Sequence, residues 1–248
     1  MVSHYIILSS SYSEGKRIAL DYVRTTTEIE KIKQDRDRIL KVCGDDVSIS
    51  IHLVHADDET WESLCKADSY FEDVEVIERV DDFIDLIMKD RELSAIDIAK
   101  YILSTTKCTQ IKLQKMVYYC YAEYLCKYGK KLFKENILAY KYGPVVKSVL
   151  DQYSKYKYEM IDETYTNDIE SKNIKELPAR SRIFFAKDGI NKAICIDETI
   201  SKYKTLSASK LVELTHRENT PWSKCHSENI INEIDDSTIK EYHTNETI

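Results

Sequence analysis

The sequence predicts an α+β protein in two parts, a small acidic α/β domain over residues 1–90 and a mainly helical domain over residues 91–248. Three observations lead there. The first ninety residues alternate between short apolar, period-two runs and charged helical stretches. From Ser94 onward apolar residues recur at helical spacing between recognisable caps. Charge and pattern both change near Asp90, which places the boundary at 88–93.

In chain order, His4-Tyr5-Ile6-Ile7-Leu8 reads as a short apolar strand, and Ser9-Ser10-Ser11 as the turn or helix start after it. Ile18, Leu20 and Val23, then Ile29, Ile32 and Ile39, fit one or two long charged helices. Val47, Ile49, Ile51 and Leu53 alternate with Ser48, Ser50 and His52, the pattern of a half-buried strand. Val74 and Val76, with Ile77, suggest a third strand, and Val80 to Ile87 has amphipathic helical spacing. Ser94 with Asp97 three residues on is a variant capping box ahead of Ala95, Ile98, Ala99 and Ile102. Thr109 caps a helix carrying Leu113, Val117, Cys120, Tyr121, Tyr124 and Tyr128, and Gly129 stands where it should stop. Gly143-Pro144 marks a turn with Pro at the first helical position, with Val145, Val149 and Tyr153 as the buried stripe behind it. Residues 159–182 read as an acidic surface loop, Ile190, Ile194 and Ile200 resume a helix, Ser207 caps the next, and Thr220-Pro221-Trp222 opens a short one.

The 248 residues contain only 5 Gly and 3 Pro, which argues against disorder and long flexible linkers. Apolar runs fall far short of the ~20 residues of a membrane-spanning helix, and no basic-then-apolar leader opens the chain. Seven Cys without a regular framework fit a reducing cytoplasm. The net charge of −7 hides a division: −10 over residues 1–90, +7 over 91–160 and −4 beyond. Eleven of the 18 Tyr lie between Tyr101 and Tyr158, in the basic stretch. Basic and aromatic residues together suit either nucleic-acid contact or a Tyr-lined core with a lysine-rich solvated face; the second is the simpler account.

Signatures of chemistry are scarce. GxxxxGK[ST], GxGxxG, GxSxG and HExxH are all missing, so no cofactor and no catalytic class is indicated. No metal site is expected: Cys120 and Cys126 are too far apart for a CxxC knuckle, and Cys225-His226 with His216 lack a fourth ligand. His52, His55, Asp57 and Asp58 cluster at a strand end, which suits either hydrolase or transferase chemistry or a simple solvated terminus, the second being the simpler reading. An enzyme is not expected.

Three blocks, Ala95 to Ile102, Ile111-Lys112-Leu113-Gln114-Lys115-Met116-Val117-Tyr118-Tyr119 and Ala139-Tyr140-Lys141-Tyr142-Gly143-Pro144-Val145-Val146, resemble the Panacea domain, the SocA-like antitoxin family also known as phage-associated GepA-like proteins. A fourth, Leu206 to Glu218 with Thr220-Pro221-Trp222, resembles its C-terminal part. The resemblance covers about residues 93–243 and leaves 1–90 outside. It implies a helical domain acting as the antitoxin of a toxin–antitoxin pair, in bacteria, prophages or phages, with a protease as a further partner where the family acts as an adaptor.

The residues themselves offer two readings. Lys112 and Lys115 lie three apart on a face beside Leu113 and Val117, while Gln114 and Tyr118 lie four apart on a shared polar face. Either the lysines are simply solvated around an apolar core, or Lys and Tyr rim a partner-binding surface. On the second reading the contact residues are Lys112, Gln114, Lys115, Tyr118, Tyr119, Lys141 and Tyr142. Leu113, Gly143, Pro144, Val145, Thr215, His216, Pro221 and Trp222 are read as fold-determining, with Trp222 a buried anchor and Thr215 and His216 bonding the turn that follows. The expected partner is a cognate protein toxin or another protein target, a phage-encoded inhibitor of a host defence protein being the alternative. Nucleic-acid binding by residues 91–160, as in an autoregulator, is a further reading that is not favoured. No membrane contact is expected.

Overall fold

The computed structural model describes residues 1–11, 16–23, 26–161 and 179–248. It is α+β, with a small mixed sheet followed by a helical region. The described residues form two compact units, one comprising Met1–Glu92 with Phe185–Lys187, the other residues 93–161, 179–184 and 188–248.

In the first unit, strands β1 (Val2–Ser11), β2 (Lys16–Val23), β3 (Ser50–Ala56) and β4 (Val74–Val76) lie in the order β3-β1-β2-β4. β1 is antiparallel to both neighbours and β2 is parallel to β4. One face of the sheet presents Ile7, Ile18, Leu20 and Tyr22 to α1 (Thr26–Cys43) and α3 (Val80–Arg91), which contribute Ile32, Ile39, Phe83, Ile84 and Ile87. The other presents Ile6, Leu8 and Ala19 to Leu64 of α2 (Trp61–Ala67) and Phe71 of a 3-10 turn. Each fully buried Ile or Phe contributes about 1.5–3 kcal/mol.

Three expectations for this unit are corrected. Residues 16–23 form a strand rather than a helix, because Ile18, Leu20 and Tyr22 repeat at two, which puts all three on one sheet face when β2 pairs with β1. Ser9, Ser10 and Ser11 continue β1 instead of turning; the Ser9 hydroxyl donates to the Ser48 carbonyl at 2.9 Å. β3 forms, but it begins at Ser50 and leaves Val47 and Ile49 before it, and Ile51 and Leu53 are 46% and 47% exposed, since they lie at the sheet edge beyond the cover of α1 and α3.

The second unit is built on α5 (Gln110–Tyr128), flanked in sequence by α4 (Ala95–Thr105). The local signals hold closely here. Ser94 and Asp97 form a capping box, the Thr109 hydroxyl accepts from the Lys112 N–H, and Gly129 ends α5 at φ 70°. Next come β5 (Leu138–Tyr140), β6 (Gly143–Val145) and α6 (Lys147–Tyr153). Pro144 is therefore not the first residue of a helix. It sits in a short antiparallel hairpin opposite Ala139, and α6 begins after Val146. Val149 and Tyr153 are buried as expected.

Most of the loop expected at 159–182 lies outside the described residues, and α7 (Ala179–Phe185) begins within its last part. The helices that follow are α8 (Gly189–Tyr203), α9 (Ala208–Thr215) capped by Ser207, α10 (Pro221–Cys225) capped by Thr220, and α11 (Asp236–Tyr242). Among the described residues no helix is long and apolar enough to cross a membrane.

Candidate functional site

α5 is covered on almost every side: its residues from Leu113 to Ala122 are all buried. The apolar stripe of Leu113, Val117 and Tyr121 accounts for part of this, and polar groups from distant parts of the chain fill the rest. The Gln114 amide pairs with the backbone of Val146 in both directions, donating to its carbonyl at 3.2 Å and accepting from its N–H at 3.0 Å. One turn of chain is thus bound to the helix as a strand neighbour would be. The Lys115 ammonium donates to the Pro144 carbonyl at 2.9 Å. Gly143 makes room for it: at φ 100°, a Cβ there would meet Lys115 Nζ at 2.7 Å and Thr215 Oγ1 at 2.8 Å.

The far side of the hairpin is fixed by the next two helices. The Trp222 indole N–H donates to the Tyr140 carbonyl at 2.8 Å, and His216 Nε2 lies 3.3 Å from the Lys141 carbonyl. His216 Nδ1 is 2.7 Å from the Val212 carbonyl, and the Thr220 hydroxyl donates to the Thr215 carbonyl. The Trp222 ring lies between His216 and His226, with centroids 3.7 and 4.3 Å away. Trp222 is the buried anchor the sequence suggests, and Thr215 and His216 do bond the adjoining turns.

Around Lys115 the structure places groups that the sequence reading missed. Glu246, fully buried, accepts from the Tyr118 hydroxyl at 2.5 Å and lies 2.8 Å from His243 Nδ1, while its backbone carbonyl accepts from Tyr119 at 3.2 Å. His243 Nε2 is 3.7 Å from Glu123, an ion-pair rather than a hydrogen-bond separation, and Glu123 accepts from Lys202 at 2.9 Å. Tyr203 stacks on Tyr119 with centroids 4.2 Å apart. Burial drives the Lys115 ammonium down to about 7 against the opposing pull of Glu246. Burial likewise raises Glu246 above the usual carboxylate range, with His243 and Tyr118 resisting. Glu123 falls to about 2, chiefly because His243 and then Lys202 stabilise its charge. Burial alone would lower His243; Glu123 and Glu246 overcome it and raise it. No signal in the sequence joins Glu246 to α5, because the two are brought together only by the docking of the segment after α11.

The seven residues read as partner contacts therefore separate. Gln114, Lys115, Tyr118 and Tyr119 are buried, so the expectation that Lys115 is solvated is corrected: the helix face it shares with Lys112 is covered by the hairpin. Lys112 is partly exposed and donates to the Lys204 carbonyl at 2.5 Å. Lys141 and Tyr142 stand at the hairpin tip, Tyr142 60% exposed with Lys141 Nζ 5.6 Å from its ring centroid. The fold-determining set Leu113, Gly143, Pro144, Val145, Thr215, Pro221 and Trp222 is buried, and His216 is partly so.

Four exposed lysines of residues 91–160 are met by acids. Lys127 pairs with Glu198, Lys130 with Asp188, Lys131 with Asp236 and Lys147 with Asp151. In the first unit, His52 and His55 fall on opposite faces of β3; His52 packs against Tyr70 and Phe71, and His55 meets Ser3. The buried histidine there is His4, whose Nδ1 lies 2.9 Å from Asp21 and whose Nε2 lies 3.1 Å from the Asp58 carbonyl. Among the described residues no group of three or more His, Cys, Asp or Glu is arranged to hold a metal ion.

The interlocked blocks on α5, the hairpin, α9 and α10 are the decisive feature. Residues 113–223 match the Panacea domain, the family of SocA-like antitoxins. The match supports an antitoxin-type role, and the resemblance drawn from the four blocks is borne out over that span. Within the Panacea segment the signature residues are joined to one another: Gln114 and Lys115 to Pro144 and Val146, Gly143 to the space beside Thr215, Trp222 to Tyr140. No curated protein and no solved structure matches the chain.

Proposed function

We propose that this protein is the antitoxin of a toxin–antitoxin pair in the cytoplasm, and that it neutralises a cognate protein toxin by direct contact at the surface bearing Lys141 and Tyr142. The observation that carries the reading is the division of labour in the Panacea segment. Its signature residues are buried struts, and what they hold in place is an exposed Tyr-Lys tip on a rigid base. Tyr offers large contact area at small entropic cost and is enriched among residues that dominate binding energy. Neutralisation by contact asks for no catalysis, and the protein is read as a non-enzyme. The acid-paired lysines of residues 91–160 favour a protein partner over a nucleic acid, which needs cations free to meet phosphates.

The test is co-expression with the product of the adjacent open reading frame, together with co-purification of the two proteins. Growth should be arrested by the neighbour alone and restored by the wild-type chain. A Lys141→Glu/Tyr142→Ser variant should keep its thermal midpoint and lose about 2 kcal/mol or more of binding, so that growth is not restored. A harmless neighbour, or full rescue by this variant, defeats the reading.

A further inference from the structure

Among the described residues, the first unit has a sheet edge with none of the usual protection. β3 spans Ser50–Ala56 and contains no Pro, Lys, Arg, Asp or Glu, and among the described residues its backbone hydrogen bonds run only to β1. Soluble proteins commonly blunt such edges with charge, Pro, bulges or brevity. The opposite edge of the same sheet follows that practice, since β4 has three residues. On β3, Ile51 and Leu53 remain 46% and 47% exposed on one face.

Charge identifies the occupant. The strand has no Asp, Glu, Lys or Arg and is flanked by carboxylates at both ends: Asp45 and Asp46 precede it, the latter paired with Arg91, Asp57, Asp58 and Glu59 follow, and all five are exposed. A second copy of the chain is a poor fit. Antiparallel self-pairing centred on Leu53 sets residues 57–59 of each copy opposite 47–49 of the other, next to its Asp45 and Asp46, and parallel pairing sets like on like, so both orientations bring carboxylates near one another. We propose that the outer edge of β3 accepts an extended segment of a partner protein, added as a further strand, with an apolar centre against Ile51 and Leu53 and Lys or Arg at both ends. Backbone pairing supplies attachment, alternate apolar side chains supply register, and the two acidic ends select for basic flanks. This surface lies in residues 1–90, outside the Panacea segment, and does not depend on the antitoxin reading.

The experiment uses the full chain and fluorescein-labelled peptides read by anisotropy. KKVTVTVTVKK should bind saturably, EEVTVTVTVEE about tenfold more weakly, and KKVTPTPTVKK, which has the same charge but lacks strand donors, not measurably. Replacing both edge residues, Ile51→Lys/Leu53→Lys, should weaken the first peptide about tenfold with an unchanged melting temperature. The control Ile190→Lys/Ile194→Lys adds the same charge at exposed positions of α8 and should leave binding as it was. The proposal is overturned if no peptide binds up to about millimolar concentration, if the proline peptide binds as well as the first, or if the two double-lysine variants weaken binding equally. A dimer seen by sedimentation and dissolved by Ile51→Lys/Leu53→Lys would instead give the edge to a second copy.

Discussion

The two units use polar residues in opposite ways. In the first, the sheet is packed by Ile, Leu and Phe on both faces, most of the charge is at the surface, and the one buried histidine is met by a single carboxylate and a carbonyl. In the second, the central helix buries a lysine, a glutamine and several tyrosines, each answered by a group from a remote part of the chain. An apolar core tolerates repacking when volume is kept. A buried polar network does not, because each removed member leaves a partner without its bond. Gln114, Lys115, Tyr118 and Tyr119 are held in such bonds, which explains why residues that look like a binding surface in sequence are structural here.

The contrast can be broken most forcefully at Gly143. Gly143→Val places a side chain at φ 100°, in the space of the Lys115 ammonium and the Thr215 hydroxyl. The second unit should lose about 2–4 kcal/mol. Trp222 belongs to this unit and Trp61 to the other, so urea unfolding followed by tryptophan fluorescence in a Trp61→Phe background reports on it alone. A change below about 0.5 kcal/mol would show that the hairpin is not held as described.

Gln114→Leu ranks next. It keeps the helix and the volume but strands the Val146 N–H, at a cost of about 1–3 kcal/mol for a buried group left unpaired, while the Val146 carbonyl keeps its bond from the Leu150 N–H. The same fluorescence measurement detects it. By comparison, Ile39→Val in the core of the first unit should cost about 1 kcal/mol, and should shift a transition monitored through Trp61 rather than Trp222.

A different kind of effect is in pH dependence, where the sign separates buried Lys115 from half-buried Glu123. Lys115 has its native pKa drawn from 10.5 to about 7, so between those values the unfolded chain holds a proton that the native state has released. Stability of the second unit should therefore rise with pH across that window. Glu123 acts at the other end. Held at about 2 instead of 4.5, it contributes stability above the ordinary value that is lost as pH falls through the native one. Lys115→Met should flatten the alkaline rise and leave the acid fall in place, and Glu123→Gln should do the reverse. Urea midpoints at a series of pH values decide the matter, and parallel curves for wild type and both variants would contradict it.

What the sequence made legible was local. Ser94 with Asp97, Thr109, Gly129, Ser207 and Thr220 mark helix ends because a cap is a bond between residues a few positions apart. Strand β2 is ambiguous in sequence because Leu20 and Val23 lie three apart, as on a helix, while Ile18, Leu20 and Tyr22 repeat at two, and only the partner strand decides between the periods. The hairpin of three-residue strands has no period to read, and it exists through its pairing and through α5. The same reason hid the site. Spacing placed Lys112 and Lys115 on one face of a helix, but what covers that face is set by Pro144 and Glu246, which lie far along the chain.

The bonds from Tyr118 and Tyr119 to Glu246 span 128 and 127 residues. At a synthesis rate of roughly 5–20 residues per second, α5 leaves the ribosome roughly 6–26 s before its last partner has been made. Throughout that interval the hydroxyls of Tyr118 and Tyr119 lack Glu246 to receive them, whereas Lys115 meets its Pro144 acceptor after only 29 residues. The nascent Panacea segment is thus bound to wait, half-assembled, for the segment after α11. Completion of this buried network is therefore paced by translation.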